Sequence, residues 1–396
     1  MDTFATILRA HAADRPDAPA LTFEGRTQSF AELNAAAVRT ARMLQARGVG
    51  HGDRVAILSK NRAEFYELIH ATAKIGAILC GLNWRLSARE IGEILSDAEP
   101  ALIIADDTGA ALLPDTQVPV LCLGPAYAAE RDAAEATDPA QDGGPDDVAL
   151  ILYTSGTTGL PKGVMLTNRG LSYTADLARA WGMTPDSVNL VAMPLFHIGG
   201  CGYDSSTMLA GGHTVLMADV DVGRIIDLIA RHRVTHTFMV PAVVQALLND
   251  PRSATADLSS MELLMYGAAP MGDVLLRRAI DALGCRFMHA YGMTESAGTV
   301  VCLGPEWHDP DGPHAHLLKS CGTAMPWVEL RVVDPATGRD VHTGDVGEVW
   351  LRTPMLMKGY WRNAAATAEA IVEGSWFRSG DAAYRDDAGR VFLFDR

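Results

Sequence analysis

The chain has 396 residues, 48% of them hydrophobic, and a formal net charge of −15. This length and hydrophobic content allow a large buried core with two or three lobes, while the excess of acidic groups argues against nonspecific binding to nucleic acid or anionic lipid. No apolar stretch approaches the roughly 20 residues that a membrane helix needs, and the N-terminus lacks the basic start and apolar core of a signal peptide. We therefore predict a globular cytoplasmic protein with no transmembrane segment.

The first third of the chain alternates between helical and strand patterns. Helical periodicity and short apolar, strand-like runs follow one another at 30–47, 55–58, 62–73 and 102–104. The alternation predicts an α/β subdomain over residues 1–147. It ends in residues 138–147, where glycine, proline and acidic residues replace any periodic pattern, which indicates a linker.

The segment after this linker has the composition of a phosphate-binding loop. It reads Thr-Ser-Gly-Thr-Thr-Gly-Leu-Pro-Lys-Gly over residues 154–163. Glycines let several backbone N–H groups turn toward one anion, hydroxyls add donors, and Lys162 adds a mobile positive charge. The spacing differs from that of P-loop NTPases, because two residues separate Gly159 from Lys162 and Gly163 follows the lysine.

Apolar runs on both sides of this loop predict that it joins two strands, after which Thr167 or Asn168 caps a helix. A surface hairpin with no ligand is the alternative interpretation.

The α/β alternation continues over residues 148–325, the second predicted subdomain. Strand patterns occur at 190–193, 214–217, 235–240, 263–266 and 286–290, and helical patterns at 222–231, 242–248 and 273–283. From about residue 328 the pattern changes to hairpins, with strands at 330–333 and 347–352 around a turn at 334–338. Residues 326–396 are therefore predicted to form a small β-rich subdomain.

Four further segments have the composition of loops that carry chemistry, and the first three directly follow predicted strands. They lie at 194–200, 266–270, 291–295 and 376–381. Together with the phosphate loop and the closing Asp395-Arg396 pair, in this order, they resemble the acyl-adenylate-forming superfamily: acyl-CoA synthetases, coumarate ligases, luciferases and peptide-synthetase adenylation domains. The resemblance covers essentially the whole chain, and it is nearer to fatty-acyl and aryl CoA ligases than to peptide synthetases.

The resemblance implies both a fold and a reaction. The fold is the large N-terminal domain of an acyl-CoA synthetase: two α/β subdomains with mixed and parallel sheets packed as layers, plus a small C-terminal β-barrel-like subdomain. In the reaction, a carboxylate attacks the α-phosphorus of ATP to give acyl-AMP and pyrophosphate, and the thiol of CoA then displaces AMP. Carboxylate and phosphate are both negative, so such a site must neutralise and align them. ATP, Mg²⁺, CoA and a carboxylic acid are the implied cofactors and substrates.

Catalytic roles follow from the resemblance for four residues. Lys162 is expected at the β- and γ-phosphates, and the hydroxyl of Thr294 at the α-phosphate. Glu295 is expected to hold Mg²⁺, a hard cation that prefers oxygen ligands. His197 is expected to line the acyl pocket and to gate the path of the thiol, with a buried histidine satisfied by backbone groups as the alternative.

Binding roles extend to a larger set. The phosphate loop contributes Thr154, Ser155, Gly156, Thr157, Thr158 and Gly159. The rest of the implied nucleotide site comprises Gly267, Ala268, Ala269, Pro270, Tyr291, Gly292, Met293, Asp381 and Arg396. In it, Tyr291 lies against one face of the adenine, and the small residues at 267–269 lie against the other face. Asp381 accepts hydrogen bonds from the ribose hydroxyls, beside Arg396. The implied acyl pocket comprises His197, Gly199, Gly200, Met239, Val240, Gly267 and Gly292.

The expected substrate class depends on whether an acidic side chain lies near the position of His197. Amino-acid-activating relatives usually place an aspartate near the position of His197, whereas here the nearest acid, Asp204, lies several residues later. With no second charge evident near the pocket, we expect an acid with an uncharged fatty or aryl tail. An adenylation domain that loads a carrier protein and a non-catalytic nucleotide-binding module are the alternatives, and a homodimer is compatible with each.

The chain stops at Arg396, where members of the superfamily continue into a C-terminal domain of roughly a hundred residues. By the family pattern, that domain carries a lysine that contacts the carboxylate and the α-phosphate. We therefore expect this form to bind ATP but to turn over slowly.

Overall fold

The computed structural model describes residues 3–154 and 161–394. Its helices are α1 Phe4–Asp14, α2 Phe30–Ala46, α3 Ala63–Ala73, α4 Ala88–Ala98, α5 Asp107–Ala110, α6 Pro125–Ala133, α7 Asn168–Ser172, α8 Thr174–Ala180, α9 Ile198–Ala210, α10 Val222–His232, α11 Pro241–Asn249, α12 Asp273–Leu283 and α13 Ala364–Ala370.

Its strands are β1 Pro19–Phe23, β2 Arg26–Ser29, β3 Arg54–Leu58, β4 Ile78–Leu82, β5 Leu102–Ala105, β6 Val120–Cys122, β7 Val148–Thr154, β8 Lys162–Thr167, β9 Val188–Val191, β10 His213–Leu216, β11 His236–Met239, β12 Leu263–Gly267, β13 Arg286–Met293, β14 Gly298–Leu303, β15 Thr323–Ala324, β16 Glu329–Val333, β17 Gly347–Arg352, β18 Gly359–Tyr360, β19 Ile371–Val372, β20 Trp376–Arg385 and β21 Val391–Leu393. None of the helices within the described ranges is long and apolar enough to cross a membrane.

The chain divides into two compact units. The first runs to Asp219 and also includes Met357–Asn363, and the second comprises Val220–Leu356 and the chain from Ala364 onward. The division falls between β10 and α10, inside the predicted second subdomain. The three subdomain limits read from the sequence stay a proposal about how the chain is organised.

A seven-stranded sheet forms the centre of the first unit, in the order β18-β8-β7-β4-β3-β5-β6. Its middle strands are parallel and mostly apolar, as expected for strands covered on both faces. The core on this sheet includes Leu58, Cys80, Ile94, Ile103 and Ile151. The same unit also holds the strand row β9-β10-β1-β2, in which β1 pairs parallel with β10.

The segment predicted as a linker is an ordered connection within the first unit. Arg9 donates to both Asp138 and Asp142, and the buried ammonium of Lys74 donates to Asp138 over 2.8 Å. The strand that follows, β7, joins the same sheet as β4. The absence of a periodic pattern therefore marks an irregular segment fixed by ion pairs.

The second unit contains two sheets of different kinds. Strands β11, β12 and β13 are parallel, and β14 and β15 extend them antiparallel. The other sheet is antiparallel, in the order β16-β17-β20-β19 with β21 on β20, and it packs on Val333, Trp350 and Trp376. This curled sheet confirms the β-rich C-terminal part, and the α/β architecture as a whole confirms the predicted fold class.

Candidate nucleotide and acyl site

The two strands beside the phosphate loop are present as predicted. Strands β7 and β8 pair antiparallel, with Thr154 opposite Lys162. The side chain of Thr167 caps the next helix by accepting from the backbone N–H of Gly170 over 3.1 Å. The predicted phosphate ligands Ser155, Gly156, Thr157, Thr158 and Gly159 lie outside the described residues, as does Arg396.

In the second unit, the ends of β12 and β13 carry most of the predicted nucleotide site. The two strands approach closely at Gly267, where an added Cβ would lie 2.2 Å from the carbonyl oxygen of Ala290. The next residue, Ala268, has a φ of 61°, a left-handed conformation that is uncommon for a non-glycine residue. It turns the chain into the exposed segment Ala268, Ala269 and Pro270. Backbone geometry thus requires a glycine at position 267.

Tyr291 and Asp381, far apart in sequence, meet in this unit. The hydroxyl of Tyr291 donates to Oδ2 of Asp381 over 2.7 Å, and both side chains are buried. Burial, and then the nearby Asp381 carboxylate, raise the pKa of Tyr291, so the phenol stays protonated and keeps donating. The backbone N–H of Asp381 in turn donates to Oγ of Ser379 over 3.0 Å.

A tight turn after β13 presents Thr294 and Glu295. The hydroxyl of Ser296 donates to the carbonyl oxygens of Met293 and Gly298 over 3.1 and 2.8 Å, which fixes this turn. Gly292 is required at its start, since an added Cβ would lie 2.0 Å from the oxygen of Gly298. Thr294 and Glu295 are both half-buried.

The chemistry of Glu295 fits the expected cation. In the described part of the chain, no cluster of three or more His, Cys, Asp or Glu side chains could hold a metal ion. Mg²⁺ is usually bound through one or two carboxylates together with water and substrate phosphates. A single carboxylate such as that of Glu295 therefore suits Mg²⁺ better than a metal that needs a full set of protein ligands.

His197 is the N-cap residue directly before α9, in the first unit. Its side chain is exposed, so the alternative of a buried histidine satisfied by backbone groups is wrong. The segment before it is held by Asn61, whose side chain donates to the oxygen of Met193 and accepts from the N–H of Leu195. Sequence reasoning missed Asn61, because nothing within its own segment points to a partner more than a hundred residues away.

The structure also brings a charged side chain that the sequence did not indicate, Arg85, near the segment that contains His197. The guanidinium of Arg85 lies 6.0 Å from the ring of Phe196, which contacts the ring of His197 at 4.5 Å between centroids. Surrounding protein, and then the charge of Arg85, lower the pKa of His197. The imidazole is thus neutral near pH 7. Arg85 follows β4, so only the fold could bring it to this loop.

The remaining predicted pocket residues differ in accessibility. Met239 is fully buried at the end of β11, while Val240 is half-buried before α11. Gly199 and Gly200 lie in the first turn of α9, and a Cβ on Gly200 would lie 2.1 Å from the oxygen of Pro194. Asp204, further along the same helix, is fully buried and accepts from Oγ1 of Thr214 over 2.8 Å. It is therefore a core residue.

Solved structures with the same fold define the class of protein. The N-terminal domain of FACL13 from Mycobacterium tuberculosis superposes with a TM-score of 0.92 at 28% identity, and each chain covers 100% of the other. ATP-bound MatB from Rhodopseudomonas palustris gives a TM-score of 0.90 at 32% identity, covering 100% of this chain and 79% of that one. The fold is thus that of an acyl-CoA synthetase N-terminal domain.

Sequence relatives agree with this class. The chain is 36% identical to the fatty acid–[acyl-carrier-protein] ligase ScoC of Streptomyces coeruleorubidus, covering 100% of this chain and 77% of that protein. It is also 36% identical to a feruloyl-CoA synthase of an Amycolatopsis species, with 96% and 76% covered. The profile of the family described as AMP-binding enzyme matches residues 8–361. The chain belongs to this AMP-binding enzyme family.

Proposed function

We propose that the chain binds the nucleotide and the acid in an AMP-forming acid–thiol ligase. The reaction converts a carboxylic acid and ATP to acyl-AMP and pyrophosphate, and CoA then takes the acyl group as a thioester. The observation that carries this proposal is the 2.7 Å hydrogen bond between Tyr291 and Asp381. It joins two segments that the resemblance assigns to one nucleoside, although they are about ninety residues apart in the chain.

In the proposed reaction each side chain acts on charge or position. Lys162 neutralises the far phosphates, and the hydroxyl of Thr294 donates to the α-phosphate while the carboxylate attacks it. Tyr291 lies along the adenine and holds Asp381, whose remaining acceptor capacity serves the ribose hydroxyls. Glu295 would hold Mg²⁺, which when bound supplies further neutralisation of phosphate charge. The neutral His197 lines the acyl and thiol path.

The proposed substrate is an acid with an uncharged fatty or aryl tail. Two relatives named for acids with aromatic rings support this class: the feruloyl-CoA synthase and the indoleacetate–CoA ligase of Aromatoleum aromaticum, which is 32% identical over 98% of this chain. The buried position of Asp204 also supports it, because this carboxyl faces Thr214 in the core.

A carrier protein is the second candidate for the acceptor. It is favoured by the similarity to ScoC, which is named for a fatty acid and an acyl-carrier protein. A mass shift on a phosphopantetheinyl carrier, with no thioester formed on free CoA, would select this acceptor. A cytoplasmic location and low turnover of the 396-residue chain remain parts of the same proposal.

The experiment that tests the function is pyrophosphate release over a panel of carboxylic acids, combined with one pair of variants. Tyr291→Phe keeps the ring but removes the hydrogen bond to Asp381, so we expect ATP to bind about ten-fold more weakly. Tyr384→Phe is the matched control, since it removes a phenol hydroxyl from the same strand, β20, as Asp381.

Two results would contradict the proposed function. If no acid in the panel gives pyrophosphate release above background, either with this chain alone or with the chain joined to the C-terminal domain of a relative, the chain is a nucleotide-binding module without this chemistry. If Tyr291→Phe and Tyr384→Phe bind ATP equally well, the nucleoside site has been assigned to the wrong residues.

A further inference from the structure

The strand that begins with Lys162 is held by a short segment from much later in the chain, residues 358–361, here named the clamp segment. Its strand β18 pairs antiparallel with β8, placing Tyr360 opposite Val164. The backbone N–H of Lys358 donates to the oxygen of Met165 over 2.9 Å, and that of Trp361 to the oxygen of Gly163 over 2.7 Å. The clamp segment thus fixes β8 along its first four residues.

The clamp segment and the strand that leads into the phosphate loop share an anchor on α4. Oδ2 of Asp97 accepts from the hydroxyl of Tyr153 over 2.7 Å, and the backbone oxygen of Asp97 accepts from Nε1 of Trp361 over 3.1 Å. Between Tyr153 and Trp361 lies Gly163, where an added Cβ would be 3.0 Å from one side chain and 3.2 Å from the other. The paired ends of β7 and β8, next to the expected phosphate loop, are therefore tightly packed.

At the start of β8, the side chain of Lys162 lies over an aromatic ring. Its Nζ is 5.1 Å from the centroid of Tyr360, within the range of a cation–π interaction. Tyr360 is buried and Lys162 is half-buried. Among residues 3–154 and 161–394, no acidic side chain forms an ion pair with Lys162. An ammonium group has three N–H donors, so contact with the ring face leaves donors for an anion.

We infer that Tyr360 is a positioning residue for Lys162, and that the clamp segment orders this lysine for phosphate before ATP arrives. The inference rests on the proposed function, because it assumes that Lys162 meets the phosphates of ATP. A free lysine side chain loses rotamer entropy when a ligand fixes it. Holding the ammonium over Tyr360 in advance reduces that loss on binding.

The test measures ATP affinity by calorimetry, using this chain and no carboxylic acid. Tyr360→Leu removes the ring face, and we expect the Kd for ATP to rise about three- to ten-fold. Tyr360→Phe keeps the ring face and should therefore bind ATP more tightly than Tyr360→Leu does. Trp307→Leu is the matched control, because it removes a cation–π contact of the same kind, with Arg390 at 4.7 Å, in the other unit.

A double variant separates positioning from general damage to the fold. If Tyr360 acts through Lys162, then Tyr360→Leu adds no further loss to Lys162→Ala. A purely structural role would make the two losses additive. Thermal unfolding of each variant checks the fold, and Tyr360→Met provides an unbranched replacement should Tyr360→Leu not fold.

The outcomes are distinct for the two proposals. Wild-type or tighter ATP binding by Tyr360→Leu, or additive losses in the double variant, would overturn the role of Tyr360 and leave the proposed function intact. Normal ATP binding with no acid-dependent pyrophosphate release would overturn the proposed function alone. Absence of ATP binding by the wild-type chain would overturn both.

Discussion

At the scale of single residues, motifs in the sequence name some side chains of the candidate site, whereas other side chains are brought to it only by the fold. Tyr291 and Asp381 belong to motifs, and the structure brings their side chains together. Asn61 and Arg85 belong to none, yet they contact the segment that contains Phe196. A side chain whose partners are distant in sequence leaves no local pattern, so its place in the candidate site could not be predicted from the sequence.

Asp204 shows how one buried carboxyl can make stability depend on pH. It lies on α9, with Tyr66 facing it from α3, Thr214 from β10, and Cys201 and Tyr203 from its own helix. Burial raises the pKa of Asp204 to about 7, against an ordinary value of 3.8. Between about pH 4 and pH 7, the folded state therefore retains a proton on Asp204 that the unfolded chain releases.

We expect the contribution of the protonated Asp204 to the free energy of unfolding to be fully present below about pH 4 and to be lost as the pH rises to about 7. Integrated over that interval, the loss is on the order of 4 kcal/mol. Asp204→Asn does not titrate, so the free energy of unfolding of this variant, relative to wild type, should improve steadily from pH 4 to pH 8. Urea unfolding at several pH values measures it.

Asp186→Asn, in an exposed loop, is the control for removing one negative charge. A constant difference between Asp204→Asn and wild type from pH 4 to pH 8 would contradict the assignment of a buried, protonated carboxyl.

Whole elements were predicted where composition and periodicity agree. Helix α12 was placed at its observed bounds, 273–283, and the strand predicted at 347–352 is β17. Helix α9 was missed, since Gly199, Gly200 and Gly202 in its first half oppose helix formation. Tertiary packing overrides this preference, because most of the helix from Gly200 to Leu209 is buried.

The glycines of α9 are therefore needed for close packing, and Gly200→Ala tests this. An added Cβ would lie 2.1 Å from the oxygen of Pro194, so the backbone before His197 must move, at a cost of about 1–3 kcal/mol. Gly81→Ala is the matched comparison, as its Cβ would lie 3.3 Å from Cα of Phe196 in the same segment.

Urea unfolding should show a clearly larger loss for Gly200→Ala than for Gly81→Ala. Equal stability of Gly200→Ala and wild type would mean that the start of α9 is loosely packed.

At the scale of the molecule, the order of motifs predicted the fold class, while the return of the chain could not be read from sequence. Residues 357–363 rejoin the first unit after a long excursion through the second. The N-terminal strand β1 pairs in parallel with β10, nearly two hundred residues later. Both pairings bury backbone groups of distant segments, and neither produces a local signal of composition or period.

The last prediction concerns the lysine that the resemblance places beyond Arg396. Lys162 cannot take its place, because Lys162 lies at the start of β8, beside the loop expected to hold the far phosphates. Joining this chain to the C-terminal domain of a relative should raise the rate of ATP–pyrophosphate exchange about ten-fold or more, since a cation at the reacting carboxylate stabilises charge in the transition state. The joined chain with that lysine changed to alanine is the control, and it should fall back to the rate of the 396-residue chain. Full exchange activity of the 396-residue chain by itself would show that adenylation does not need this lysine.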